Sequence, residues 1–541
     1  MNQNDNKNLI VAMVLMLAVW FGFSIFFPPE QPAVPESVSS PVAEQVAPVA
    51  SLSDIPSDSR LQPVVAESTP APVTVQSARE IVVETDLYRA VFTSSGGRLL
   101  SYELKNFREA ADPQAPQVQL FEAGPLHYAT LTTSGFEGLH IPEDLVYSVE
   151  QDERLLVQGA ATGELVFSAS LPSGLQVDKV FVFKGNDYTL DSRLVLVNNS
   201  LAPLRGMVDF SLVKRWDKER DKDTYSFAGP ASLVNDKFVE VDVDDLVKTP
   251  VVYGPETAWT SFQTKYFLSV VVPSADAAAR TRILIDGDRV ENIVETAYTE
   301  LAAGERRQFD YFLFIGPKDI NLLKQAGHRL DLAVDFGFFD MLAKPLLYAL
   351  IFFYGFLNNY GLAIILLTVL IKLLFWPLTH KSYASMKAMQ KLQPEMQKIR
   401  EKFKDDKERL NRELMELYKT HRVNPLGGCL PMLVQIPVFF SLYKVLLDSI
   451  ALRHAPFALW ITDLSAKDPY YITPLLMGAS MFVQQKLTPT TADPMQARIF
   501  MMMPVIFTFL FLNFPSGLVI YWLVNNLLTI VQQFYIHKRV K

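Results

Sequence analysis

One cysteine, Cys429, is all that the 541 residues contain, so no internal disulfide can brace the chain, although an oxidising compartment is not thereby excluded. A GxxxxGK[ST] loop, an HExxH pair and a GxSxG elbow are all missing. Their absence removes the common routes to nucleotide hydrolysis, zinc proteolysis and serine hydrolysis. His127 and His140 lie in a strand-rich region without partner spacing, so both are expected to be structural. No catalytic residue, cofactor or metal is expected, and the chain is not expected to be an enzyme. Asp and Glu are also missing from the cores of the apolar runs after residue 360.

What the chain has is segregated. It is 49% hydrophobic and 20% charged, but the averages join two unlike parts. Leu9 to Phe27, "LIVAMVLMLAVWFGFSIFF", is close to the ~20 residues that cross a bilayer and exceeds a signal-peptide core. With no small-residue cleavage site directly after it, it reads as an uncleaved anchor behind a cytoplasmic N-terminus of residues 1–8. Residues 28–78, rich in Pro, Ala, Val, Ser and Glu, read as a disordered tether. Between 79 and 318, segments such as "LQVDKVFVF", "KFVEVDVDDL" and "FDYFLFIG" have strand length and are separated by Gly, Asn and Pro, which predicts one large antiparallel sandwich.

Beyond residue 360 long apolar runs return, at about 361–379, 429–447, 470–487, 499–514 and 516–536. With the anchor they predict six spans. The run from Lys344 to Leu357 offers only about 13 apolar residues after Pro345, so segment 319–360 is expected to hold an interfacial helix. Twelve Lys and Arg against seven acids lie between 380 and 422, which places that loop and the basic tail "HKRVK" in the cytoplasm. Six spans satisfy both placements and leave the sandwich outside.

The loop, 380–423, has the pattern of a helical hairpin. Leu392, Met396, Ile399 and Phe403 mark one face, and Leu410, Leu414, Leu417 and His421 mark another. Asp405 with Glu408 has the spacing of a capping box. The hairpin is either a solvated pair of helices or a basic platform whose Lys391, Lys398, Arg400, Arg409 and Arg412 meet anionic lipid or ribosomal RNA.

Lys372 stands inside the run 361–379, where a charge costs at least a few kcal/mol. Thr368 lies one turn before it and Gln435 within the next run. Trp522, Asn525, Asn526, Thr529, Gln532 and Gln533 form a polar stripe on the last helix. Such residues either bind helices together or line a shared wet chamber, and the lysine stem could also snorkel to the headgroups. An acid-coupled transporter would use a similar path, but neither inverted repeats nor acidic coupling residues are seen.

"VNPLGGCLPMLVQIPVFFSLY", "APFALWITDLSAKDPYYITPLLMG" and "NFPSGLVIYWLVNN" resemble the core of the YidC/Oxa/Alb family of membrane protein insertases, over residues 340–541. The anchor, tether and outer domain are similar to the Gram-negative form, whose periplasmic domain is a supersandwich like that of sugar mutarotases. The fold class implied is a polytopic α-helical membrane protein of six spans, five of them forming the core 361–541, with an all-β supersandwich in the periplasm. The resemblance implies a bacterial inner-membrane chaperone that inserts nascent inner-membrane proteins, alone as a monomer or beside the Sec translocon, with ribosome and lipid contacts. It implies a groove in which Lys372 occupies the place of a positive residue, commonly arginine, with Thr368, Gln435, Tyr521, Trp522, Asn525 and Asn526 around it. Lysine keeps the charge without the guanidinium's five-donor fork.

Overall fold

The computed structural model describes residues 78–222, 226–404, 406–421, 423, 430–487 and 494–539. The expected anchor 9–27 and nearly all of the tether 28–78 lie outside those residues.

Alternating apolar residues build the outer domain. An eight-stranded antiparallel sheet runs, in spatial order, through Lys237–Glu240, Gly229–Val234, Thr257–Gln263, Phe267–Pro273, Arg306–Pro317, Thr189–Asn198, Leu175–Lys184 and Thr162–Ser170. A second sheet centres on Leu204–Arg215, which pairs with Arg289–Glu295, Thr299–Leu301 and Thr132–Phe136. A third, of five strands, carries Glu80–Glu84 at the side of Arg154–Leu156 in parallel, so the domain is not wholly antiparallel. "KFVEVDVDDL" differs from its expected form: the strand stops at Glu240, and Asp242 caps a helical turn, Val243–Leu246, by accepting from the Asp244 amide. Lys179 is fully buried and ties the sheets together, donating to the carbonyls of Gly96 at 3.1 Å and Leu131 at 2.8 Å. Burial pushes its ammonium well below the usual range. His127 and His140 are both exposed and belong to no metal-binding group among the described residues.

Among the described residues, a short helix, Ile320–Ala326, is followed by eight longer ones: α1 Asp340–Leu357, α2 Tyr360–Lys391, α3 Gln393–Lys402, α4 Lys407–Thr420, α5 Leu430–Asp448, α6 Ile472–Leu487, α7 Pro494–Phe511 and α8 Ser516–Arg539. Among the described residues three are long and apolar enough to cross a membrane, namely Gly337–Leu357, α2 and Ser516–Ile536. The first contains the run expected to be interfacial. It is longer than the sequence suggests because the turn from Gly337 and the residues before Pro345 join the same helical stretch. Asn358, with φ 49°, ends α1, and Asn359 caps α2 by accepting from the Leu362 amide at 3.0 Å.

Helix α2 does not stop at residue 379. It continues to Lys391, and Pro394 then opens α3, where a missing N–H costs nothing. The hairpin core is Met389, Leu392 and Met396 against Leu414, Leu417, Tyr418 and Val423. Ile399, Phe403 and Leu410 are only partly buried and lie outside it. The cap of α4 is Asp406, accepting from the Arg409 amide at 3.0 Å, not Asp405 with Glu408; Asp405 falls outside the described residues. Lys391, Lys398, Arg409 and Arg412 are exposed and Arg400 is half-buried.

Candidate functional site: a polar cluster within the helices

The last helix reads "SGLVIYWLVNNLLTIVQQFYIHKR", and its polar residues recur every three or four positions among apolar ones. In a helix that spacing gathers them on one broad arc. The arc divides among different partners. Asn525 and Thr529 face α2, where Lys372 Nζ donates to Asn525 Oδ1 at 3.0 Å and to Thr529 Oγ1 at 2.7 Å. Gln435 reaches in from α5 and donates to the same Asn525 oxygen at 3.2 Å. It also shares a hydrogen bond with the Tyr521 hydroxyl. Thus Lys372, Gln435, Tyr521, Asn525 and Thr529 come together from three helices. No carboxylate pairs with Lys372 among the described residues.

The other expected residues stand apart from this contact. Asn526 is buried and donates to Ser480 Oγ on α6 at 3.0 Å, which is interhelical packing glue. Thr368 is 2% exposed and donates to its own helix, to the Ile364 carbonyl at 2.6 Å. Trp522 packs in an aromatic group, with ring centroids 4.8 Å from Phe439, 5.0 Å from Phe511 and 5.7 Å from Phe507. Gln533 donates to the Tyr383 hydroxyl at 2.9 Å, two turns nearer the hairpin. Gln532 is wholly buried and neither of its amide atoms has a partner among the described residues, a cost of about 1–3 kcal/mol unless water enters.

Sequence reasoning missed Ser480, Tyr383 and Asp468. Asp468, 1% exposed, accepts from the Thr473 amide and hydroxyl at 2.7 Å each, the Tyr470 amide at 2.9 Å and Trp460 Nε1 at 3.1 Å. It holds the start of α6 to the loop outside the bundle. An Asp followed by Thr five residues on, ahead of an apolar helix, is the only local sign of it.

Residues 80–349 match a model described as the YidC periplasmic domain, and residues 352–541 one described as the 60Kd inner membrane protein. A Geotalea daltonii protein named membrane protein insertase YidC is 44% identical over 539 residues, covering 98% of this chain and 99% of its own. One of the same name from Geobacter sp. strain M21 is 47% identical over 466 residues, 86% of each chain. The chain belongs to the YidC family of membrane protein insertases. It is therefore a membrane insertase of the inner membrane with a periplasmic domain, and not an enzyme. The YidC assignment sets aside the transporter reading. It also makes the β-rich domain periplasmic.

Proposed function

We propose that the Lys372 cluster is a hydrophilic groove that receives the polar segment of a nascent membrane protein on its way across. The observation that carries this reading is the hydrogen bonding of Lys372 Nζ to two neutral acceptors, Asn525 and Thr529. An ammonium has three donors, so one remains for an incoming acid. Its charge is not cancelled by a protein carboxylate and can act on the substrate. Gln435 and Tyr521 continue the polar wall, while Thr368, Trp522 and Asn526 shape and brace it. The apolar part of a substrate needs no fuel to leave. At ~25 cal/mol per Å2, moving a span from water into lipid releases tens of kcal/mol.

The same reading has six spans: the anchor, α2, α5, α6, α7 and α8, with α1 lying along the outer membrane surface as a brace. Both ends of the chain and the hairpin are then cytoplasmic, and the outer domain is a supersandwich. The exposed Lys391, Lys398, Arg409 and Arg412, with Arg400, serve as a basic platform for ribosome or lipid. The Sec translocon is a partner for complex substrates, and a monomer suffices for simple ones.

Substitution at Lys372 tests the groove. Arginine should preserve insertion. Leucine should impair substrates whose translocated segments carry acids, and glutamate should impair them further. If the leucine variant inserts acidic substrates normally, Lys372 is an interfacial anchor instead.

A further inference from the structure

A set of charged groups far from Lys372 meets where the outer domain rests on the helices. A cavity of about 220 Å3 opens there between the strand Lys237–Glu240, the segment before α1, the inner face of α1 and the end of α5. Its charged walls include Lys265, Lys318, Glu240 and Asp335. Beside them Lys444 Nζ stands 3.7 Å from Asp448, so that pair is largely satisfied.

Asp319, also in the lining, caps the helix Ile320–Ala326 by accepting from the Asn321 and Leu322 amides, and the remaining four are not closed on one another. Lys318 and Glu240 form no ion pair or side-chain hydrogen bond with any described residue, and Lys265 has only the Tyr266 ring, 5.2 Å from its Nζ. Asp335 accepts only from the Gly337 amide, at 2.9 Å. Glu240 and Asp335 both reach solvent at the cavity mouth, yet the protein packed around the Glu240 carboxyl pushes it up to about 7, with the charge of Asp335 adding to the rise. Burial pushes the Lys318 ammonium down, against the opposing charges of Asp448, Glu240 and Asp335. Each shift would be relieved by an opposite charge placed in the cavity, and only a ligand carrying both signs serves both walls.

Position narrows the chemistry. Leu347 and Ile351 of α1 form the apolar side of the cavity, while Met341, Phe352 and Phe356 of the same helix are exposed. Exposed aromatic and thioether side chains on such a helix suit acyl chains, which puts the cavity at the level of lipid headgroups. We propose that the cavity seats the headgroup of an ethanolamine phospholipid, its phosphate toward Lys265 and Lys318 and its ammonium toward Glu240 and Asp335. The proposal rests on α1 lying at the outer membrane surface and is independent of the groove.

Native mass spectrometry of the full-length protein in detergent, with dioleoyl phosphatidylethanolamine, phosphatidylcholine or phosphatidylglycerol added, tests it. Wild type should retain the ethanolamine lipid over the other two by about tenfold, because it alone carries a cationic N–H donor for the carboxylates: choline has the charge without the donor, and glycerol has donors without the charge. E240Q/D335N should abolish that preference, and K265Q/K318Q should lower retention of all three. Should either double variant unfold, the other still reads out one wall. Equal retention of the three lipids by wild type would overturn the proposal, as would an unchanged preference in folded E240Q/D335N. Binding of soluble phosphoethanolamine without any lipid preference would overturn the lipid assignment. Insertion of acidic substrates through Lys372 is a separate readout, so failure here and failure of the groove are distinguishable.

Discussion

Asn525 carries more than its own hydrogen bond, since one oxygen accepts from both Lys372 and Gln435. Asn525→Leu should leave two donors without that acceptor. The expected cost is about 1–3 kcal/mol in thermal or denaturant stability, and insertion of acidic substrates should fall less than in Lys372→Leu, which removes the charge itself. Equal loss for acidic and neutral substrates would mean that Asn525 acts only through packing. Glu240 offers a test by pH. Its carboxyl is raised in the folded protein to about 7, above an unfolded value near 4.5. The folded state therefore holds the proton more tightly, and its stabilising effect is complete below the unfolded value and fades as pH rises through 7. Melting of wild type between pH 5 and 8 should fall more steeply than that of Glu240→Gln. Parallel curves would show that Glu240 is not held in a protonating environment.

Among the elements, the hairpin and the close-packed helices make different demands. Asp406→Ala removes the cap of α4 and should cost the hairpin about 1 kcal/mol of local stability, readable as faster amide exchange over Lys407–Thr420. Insertion should suffer only if the hairpin recruits substrate or ribosome. Gly478 gives a sharper result. A Cβ there would collide with Thr508 Oγ1, so α6 and α7 approach this closely because the side chain is absent. Gly478→Val should destabilise the bundle by about 1–3 kcal/mol, and an unchanged melting temperature would contradict that packing. The helices themselves were legible in the sequence, because apolar runs of membrane length and a 3.6-residue period are local signals. So were Lys372, Asn525 and Gln435, which are conspicuous as polar residues among apolar ones. What the sequence hid was pairing. Nothing local says that Asn526 meets Ser480 while Asn525 meets Lys372, or that Gln533 finds Tyr383. The cap misplaced by one residue and the unbroken run of α2 into the hairpin are boundary effects, set by whichever Asp and Pro the backbone can use. The division of the outer strands into three sheets depends on contacts between residues far apart in the chain, such as Tyr102 with the Ile315 carbonyl.

At the scale of the whole molecule, the outer domain and the helices share one continuous apolar core. Arg453, from the loop before α6, lies over the rings of Tyr266 and Phe267 and donates to the Arg108 carbonyl. Removing much of residues 85–300 should thus lower the melting temperature while leaving insertion of simple substrates largely intact, provided that residues 320–357 remain. Loss of insertion by a folded, well-expressed deletion would move the function out of the helices. The proposed groove requires that the Lys372 charge act on the substrate from within the bundle. It is tested most directly by reconstituting the purified protein alone in liposomes and measuring insertion of one single-span substrate in two forms, with an acidic or a neutral translocated segment. Lys372→Leu should slow the acidic form far more than the neutral one, and Lys372→Arg should restore both. Equal insertion of the two forms by the leucine variant, at the wild-type rate, would show that the Lys372 charge takes no part in insertion.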